Sequence, residues 1–285
     1  MAVRIVIDSS ADYEKQEMID KNLICVPLSV TFGEKSYQDC FELTKDEFYQ
    51  KLLERKDYPK TSQPSPEAFL KEFLAAKESG DSVVAILLAS GLSGTCQSAN
   101  LAKNMAEYDD IHIIDSTTAI SAMRFLIEKA IAMRDAGNTA EEIVAVIEEL
   151  KTRVGIRVVI DTLEYLYKGG RLTKAQAGVG EIARLKPMIM LNKEGKIEVC
   201  QKCLGMKKAM LELKKILETT DFDPEYGWKF VYAHERENCE KFCRFLEDKG
   251  VEIWDKTKSM YNIGPTIGAH TGNGVFGFVY VEKKK

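Results

Sequence analysis

The chain has 285 residues, 45% hydrophobic and 29% charged, with seven cysteines and a formal net charge of −4 at pH 7. This is enough chain for one large domain or two of ordinary size, and its acidic balance argues against a nucleic acid or other polyanion as main partner. No apolar run approaches the roughly 20 residues that span a bilayer, which excludes stable membrane insertion by a helix, and an odd cysteine count in a chain this long needs no disulfide framework.

Val3–Ile7 reads as a first buried strand ending in Asp8-Ser9-Ser10-Ala11-Asp12, a helix cap or a ligand loop. Met1–Asp8 lacks the zones of a signal peptide, so the cytoplasm is the expected compartment. Cys25–Phe32 reads as a second strand. Thr44 and Glu47 form a capping box that opens a helix through Phe48, Leu52 and Leu53. Ser65 and Pro66 start another helix, with Phe69, Leu70, Phe73 and Leu74 inward. Thr61, Ser62 and Gln63 lie upstream of that cap, so capping does not explain them; pinned by Pro59 and Pro64, they read as a rigid polar loop.

Val83–Ala89 has the β-branched, uninterrupted character of a strand buried on both faces. Ser90-Gly91-Leu92-Ser93-Gly94-Thr95 comes next, then a helix with Cys96, Ala99, Ala102 and Ala106 on one stripe. A strand feeding a Gly/Ser loop and a helix start gathers free N–H groups and hydroxyls at one point, which suits an anion; the same glycines also suit a plain tight turn. Ile111–Ile114 is a further strand ending at Asp115-Ser116, with helices from about Thr118 to Ala136 and, after a Thr139/Glu142 box, through Leu150. Strands alternating with helices predict an α/β fold with a parallel sheet, whose ligands bind at the carboxyl ends of the strands. The Asp8, Ser93 and Asp115 loops would share that edge.

Past residue 153 the rhythm changes. Val154–Ile160 is a strand, Thr173 caps a short helix, and Met188–Leu191 with Ile197–Lys202 forms a hairpin across Asn192–Gly195. A helix over Met206–Glu218, a strand over Lys229–Ala233, a helix over Glu237–Lys249 and strands at Val251–Trp254 and Val275–Val281 complete the chain. The expected organisation is an α/β domain over 1–153 with a parallel sheet sandwiched by helices, and a second over 154–285 with a mixed sheet. Cys200/Cys203 and Cys239/Cys243 have spacings that invite zinc. The first pair falls on opposite faces of a strand and the second packs beside Phe242 and Leu246, so buried free thiols explain both. No metal is expected. His112 reads as a strand histidine, His234 has no partner motif, and Lys283–Lys285 reads as a frayed tail.

Six motifs in order resemble the DegV family of bacterial fatty-acid-binding proteins: Asp8-Ser9; Thr61-Ser62-Gln63-Pro64-Ser65-Pro66; Ser90–Thr95 with Gln97-Ser98-Ala99; Asp115-Ser116; Thr162–Arg171; and Ile263–Gly272. The resemblance implies two α/β domains with an acyl chain buried where they meet. It implies a non-enzymatic, cytoplasmic carrier of a long-chain fatty acid such as palmitate, stearate or oleate, without cofactor. Such a carrier offers its lipid to a dihydroxyacetone-kinase-like ATP-binding subunit, whose acyl phosphate feeds phospholipid synthesis. Carried over to this chain, Ser93 donates to the carboxylate, Gly94 and Thr95 supply backbone donors, Thr61 and Ser62 hold the head group or the Ser93 hydroxyl, and His270 completes the network. Arg171, in the Lys-Gly-Gly-Arg loop, faces the kinase subunit. The chain departs from the family after the hairpin, where Cys203–Lys208 carries lysines in place of an arginine-containing cluster.

A serine hydrolase using Ser93 and His270 is the alternative, although the glycine after Ser93 falls one position early for a nucleophile elbow. No Gly-x-x-x-x-Gly-Lys-Ser/Thr run supports a phosphate-binding loop.

Overall fold

The computed structural model describes residues 2–55, 57–177, 185–253 and 260–285. Strand β1 (Val3–Asp8) leads through one tight turn at Ser9–Ala11 to helix α1 (Lys15–Asp20) and strand β2 (Leu23–Val26). Pro27, which has no N–H for a ladder, ends β2. Strands β3 (Ser29–Phe32) and β4 (Lys35–Gln38) and, after helix α2 (Lys45–Glu54), strand β5 (Lys60–Ser62) form a small antiparallel sheet of order β4-β3-β5. The single strand expected over Cys25–Phe32 is therefore two strands in two sheets. Thr61 and Ser62 lie on an edge strand and not in a loop. The expected caps are present: Thr44 and Glu47 bond reciprocally at the start of α2, and Ser65 accepts from the Ala68 N–H to open helix α3 (Pro66–Ser79).

Strand β6 (Ser82–Leu87), buried throughout, is followed by helix α4 (Thr95–Ala106), strand β7 (Ile111–Asp115), and helices α5 (Ala122–Asp135) and α6 (Ala140–Leu150). Helix α5 begins four residues later than expected. Thr117 and Ile120 hold left-handed backbone, at φ 51° and 53°, which a right-handed helix does not admit. Beyond come β8 (Val154–Val159), the short helices α7 (Glu164–Lys168) and α8 (Lys174–Ala177), β9 (Leu185–Leu191), β10 (Ile197–Leu204), α9 (Met206–Thr219), β11 (Trp228–Tyr232), α10 (Glu237–Asp248), β12 (Met260–Asn262), α11 (Pro265–Thr271) and β13 (Phe276–Val281). The expected hairpin is β9–β10. No strand forms over Val251–Ile253, and Trp254 lies outside the described residues; β12 pairs with β11 instead.

Two larger sheets organise the molecule. The first is parallel, of order β2-β1-β6-β7; the second is mixed, of order β10-β9-β8-β13-β11-β12. Side chains alternate across each strand. Val6, Val83 and Ala85 pack against Phe69, Phe73 and Ala99 on one face of the parallel sheet, while Ile5, Ile7 and Val84 meet Leu126, Ile127 and Ile143 on the other. In the mixed sheet, Phe230, Phe276 and Phe278 pack on Leu213, Phe242 and Leu246 from α9 and α10. Its other face, with Ile156, Val158, Ile189 and Val279, joins the core of the parallel sheet. Helix α5 is the bridging layer: it contacts β1 and β6 on one side and β8 and β13 on the other, with Phe125 edge-on to Tyr226.

The carboxyl ends of β1, β6 and β7 lie side by side, as the parallel register requires. Asp8, fully buried, holds that edge together. Its Oδ2 accepts from the Leu88 N–H at 2.6 Å, and its Oδ1 accepts from the Ser10 N–H at 2.9 Å and the Ser10 hydroxyl at 2.5 Å. Desolvation pushes the carboxyl upward in pKa, and these donors oppose the shift. Asp8→Ala would orphan three buried donors, so urea unfolding should report a loss of roughly 2–4 kcal/mol. A loss under about 0.5 kcal/mol, the range of an ordinary surface substitution, would show that the edge does not depend on this carboxyl.

Candidate functional site

Past β6 the chain turns outward under tight local control. The Ala89 N–H donates to the Thr118 carbonyl at 3.0 Å, and the Ser90 N–H donates to Asp115 Oδ1 at 3.1 Å. Gly91 lies against the tip of the β9–β10 hairpin, where a Cβ would come within 2.7–2.8 Å of the Glu194 and Gly195 backbone. Only glycine permits that approach. The Ser93 hydroxyl shares a hydrogen bond with Thr95 Oγ1 at 2.9 Å, and α4 starts at Gly94 with no side-chain cap. Free N–H groups and partial positive charge therefore stand at this turn.

Beneath the turn, between the parallel and mixed sheets, is a cavity whose lining is mostly apolar. Leu28, Leu88, Leu92, Ala119 and Ile120 line it from the first half of the chain. Ile156, Val158, Leu166, Ile189, Met190, Leu191, Ile197, Ile263, Ile267 and Val275 line it from the second. Its polar lining is confined to Thr61, Ser93, Arg171, Thr266, His270 and Thr271. Leu92, Ser93, Arg171 and Ile197 also border an open polar cleft with Ser90, Gly91, Gly94, Gly170, Gln176 and Lys196.

The predicted residues separate on this geometry. Thr61, Ser93, His270 and Arg171 meet on the cavity, with Thr61 Oγ1 and His270 Nε2 2.7 Å apart. Ser62 does not line it and is exposed, because adjacent residues of a strand face opposite ways. Gly94 borders the cleft, packed under Gln63, which itself donates to Ser98 at 2.8 Å. Thr95 is buried behind Ser93. Arg171, expected to face a partner subunit, is half-buried: its Nε donates to the Leu92 carbonyl at 3.0 Å and one terminal nitrogen donates to the Gly169 carbonyl at 2.6 Å. Among the described residues no carboxylate pairs with it, and burial lowers its pKa. The Ser93–His270 pair of a hydrolase is not formed, since each hydroxyl partner is a threonine. Cys203, Cys239 and Cys243 are buried and Cys200 exposed, and no metal-binding group of His, Cys, Asp or Glu gathers among the described residues.

Sequence reading misses two features. The apolar walls carry no signal distinguishable from ordinary core. The segment 263–272 stands out only as a motif, yet Gly264 followed by Pro265 is a helix-start signature. Helix α11 brings Thr266, His270 and Thr271 to the cavity and is anchored by buried carboxylates. Asp12 Oδ1 accepts from the Gly264 N–H at 2.8 Å; Asp39 Oδ2 accepts from the Thr266 N–H at 3.2 Å and its hydroxyl at 2.5 Å. Desolvation raises Asp12 to about 7, against Lys45, and Asp39 to about 6, against its Thr266 and Ser9 donors. Burial, aided by Arg171, lowers His270 to about 3, so its ring is neutral.

A family model described as "Uncharacterised protein, DegV family" matches residues 2–283. A DegV domain-containing protein of Caldanaerobacter subterraneus subsp. tengcongensis is 34% identical over 282 residues, 99% of each chain. A DegV family protein of Thermus thermophilus, described by its fatty acid binding, superposes with a TM-score of 0.85 at 29% identity, covering 99% of this chain and 100% of that one. A stearic acid-binding protein of Eubacterium ventriosum gives 0.85 at 27% identity, covering 99% of each. The Bacillus subtilis DegV, described as a fatty acid binding protein, gives 0.79 at 28%, covering 99% of this chain and 100% of that one.

The carboxylates and the histidine set a signed pH dependence. Asp39 binds its proton more tightly in the fold than in the unfolded chain, so its contribution to stability is complete below the ordinary 3.8 and is lost as pH rises through about 6. Asp12 behaves alike, with the loss reaching about 7. His270 has the opposite sign: its contribution is complete above the ordinary 6.5 and falls away as pH drops toward 3. Asp39→Asn keeps an acceptor for Thr266 and removes one of these terms. Relative to wild type it should gain roughly 1 kcal/mol between about pH 5 and pH 8 in chemical denaturation. A difference that is constant across that range would mean Asp39 does not titrate there.

Proposed function

The chain belongs to the DegV family, and we propose that it is a non-enzymatic carrier of one long-chain fatty acid, presented to a separate kinase subunit. The observation that supports this reading is a cavity with aliphatic walls and few polar groups, among which Thr61 and His270 bond to each other and Ser93 and Arg171 also border the open cleft. Burying an acyl chain contributes about 0.8 kcal/mol per methylene, on the order of 10 kcal/mol for sixteen carbons before the costs of association. The carboxylate at its end needs charged or hydrogen-bonding partners in that setting. The Arg171 guanidinium, without a carboxylate of its own among the described residues, supplies the counter-charge, and the Ser93 and Thr61 hydroxyls supply donors. The chain sets affinity and the cluster sets orientation.

Arg171 and Ser93 also border the open cleft, which gives a dihydroxyacetone-kinase-like ATP-binding subunit a path to the carboxylate. That subunit would form the acyl phosphate for phospholipid synthesis, and Arg171 would serve both the head group and the partner contact. Protein purified from a bacterial host should therefore carry extractable C14–C18 fatty acid approaching one per chain, because a buried acyl chain leaves slowly. A preparation with no lipid and no uptake of added palmitate or oleate would sink the carrier reading. Ser93→Ala should weaken oleate binding by roughly 1–3 kcal/mol with little change in the thermal stability of the lipid-free protein. Unchanged affinity would remove Ser93 from the head-group site.

A further inference from the structure

The Gly169-Gly170 pair before Arg171 is explained by two different requirements. Gly170 has φ +73° and nothing within 4 Å of the place a Cβ would take, so it is there for its backbone. Gly169 has φ −76° and ψ −5°, a conformation open to any residue. What Gly169 supplies is space: a methyl there would lie 2.0 Å from His270 Nδ1, 2.7 Å from His270 Cε1 and 3.0 Å from the Tyr165 carbonyl oxygen. Its own carbonyl accepts from Arg171. One residue thus backs two members of the cavity's polar cluster.

His270 Nδ1 is buried against this glycine and has no hydrogen-bond partner among the described residues. Its Nε2 lies 2.7 Å from Thr61 Oγ1. A proton on Nδ1 would be an orphaned buried N–H, among the rarest features of folded proteins, whereas an unfilled acceptor lone pair is better tolerated. We propose that Gly169 is a positioning residue: it seats the His270 ring so that Nε2 carries the proton and donates to Thr61, which turns the Thr61 hydroxyl proton toward the ligand. The low pKa of His270 agrees, since it keeps the ring singly protonated at neutral pH. His270 then acts through Thr61, and the cavity offers a carboxylate a set of donors fixed before it arrives, a preorganisation that lowers the cost of binding. The ligand in this assignment rests on the carrier reading; the tautomer does not.

The chain has three histidines, so nitrogen-correlated NMR of the lipid-free protein can assign the His270 ring. Protonation at Nε2 is expected, and an Nδ1 proton or an even mixture would overturn the proposal. Gly169→Ala should disturb that signal and weaken oleate binding by about fivefold or more. In a His270→Ala background, where the ring is gone, the same substitution should cost less than about twofold, because the two changes share one interaction. Equal losses in both backgrounds, or no loss in either, would overturn it. If Gly169→Ala does not fold, the wild-type spectrum alone decides. A wild type that shows the Nε2 proton yet takes up no oleate would leave the tautomer standing and remove the carrier reading.

Discussion

The mixed sheet has two apolar faces, and both must be kept from water. Helices α9 and α10 bury the Phe230, Phe276 and Phe278 face. The face bearing Ile156, Val158 and Ile189 must be covered by the other half of the chain, or about 25 cal/mol would be lost for each Å² of apolar surface left in water. Helix α5, packed on both sheets, provides part of that cover. The cavity is where the cover is incomplete: Leu28, Leu88 and Ile120 on one side approach β8 and β9 on the other without filling the space between. In a close-packed interior such a space is unusual, and its walls are mostly aliphatic.

Polar groups reach this cavity through the edges of the surrounding elements. The parallel register of β1, β6 and β7 brings three loop starts to one line, and Asp8 and Asp115 bind the turn that carries Ser93. Edge strand β5 contributes Thr61 and helix α11 contributes His270. Each element is held by bonds distant in sequence, such as the Tyr49 hydroxyl donating to the Ile263 carbonyl at 2.9 Å and Asp39 receiving Thr266. The polar cluster is thereby assembled by the tertiary fold and not by any one loop.

Burial acts on the ionisable groups in opposite directions. It raises Asp12 and Asp39, where neutral acids are favoured, and lowers His270, where the neutral base is favoured. Arg171 keeps its charge in a half-buried place, with carbonyl oxygens as its described partners. The result is a site whose fixed positive charge has no protein counter-ion among the described residues, an arrangement suited to an anionic ligand.

Much of this is legible in the sequence. Capping boxes, the buried β6 run and the Pro66 and Thr139 helix starts depend on residues within a few positions of one another, so local chemistry determines them. Ser93, Thr61, His270 and Arg171 stand out because their motifs occur in family order. Local reading cannot tell that Thr61 and Ser62 form a strand, since β5 exists only through pairing with β3, and that pairing turns one hydroxyl in and the other out. Nor can it find the cavity walls, because Ile156 or Ile189 facing empty space has the same sequence signature as one facing Leu126. Whether an apolar side chain meets another or meets a gap is set by how two sheets and α5 fit together, a property of the whole packing that no single stretch of sequence contains.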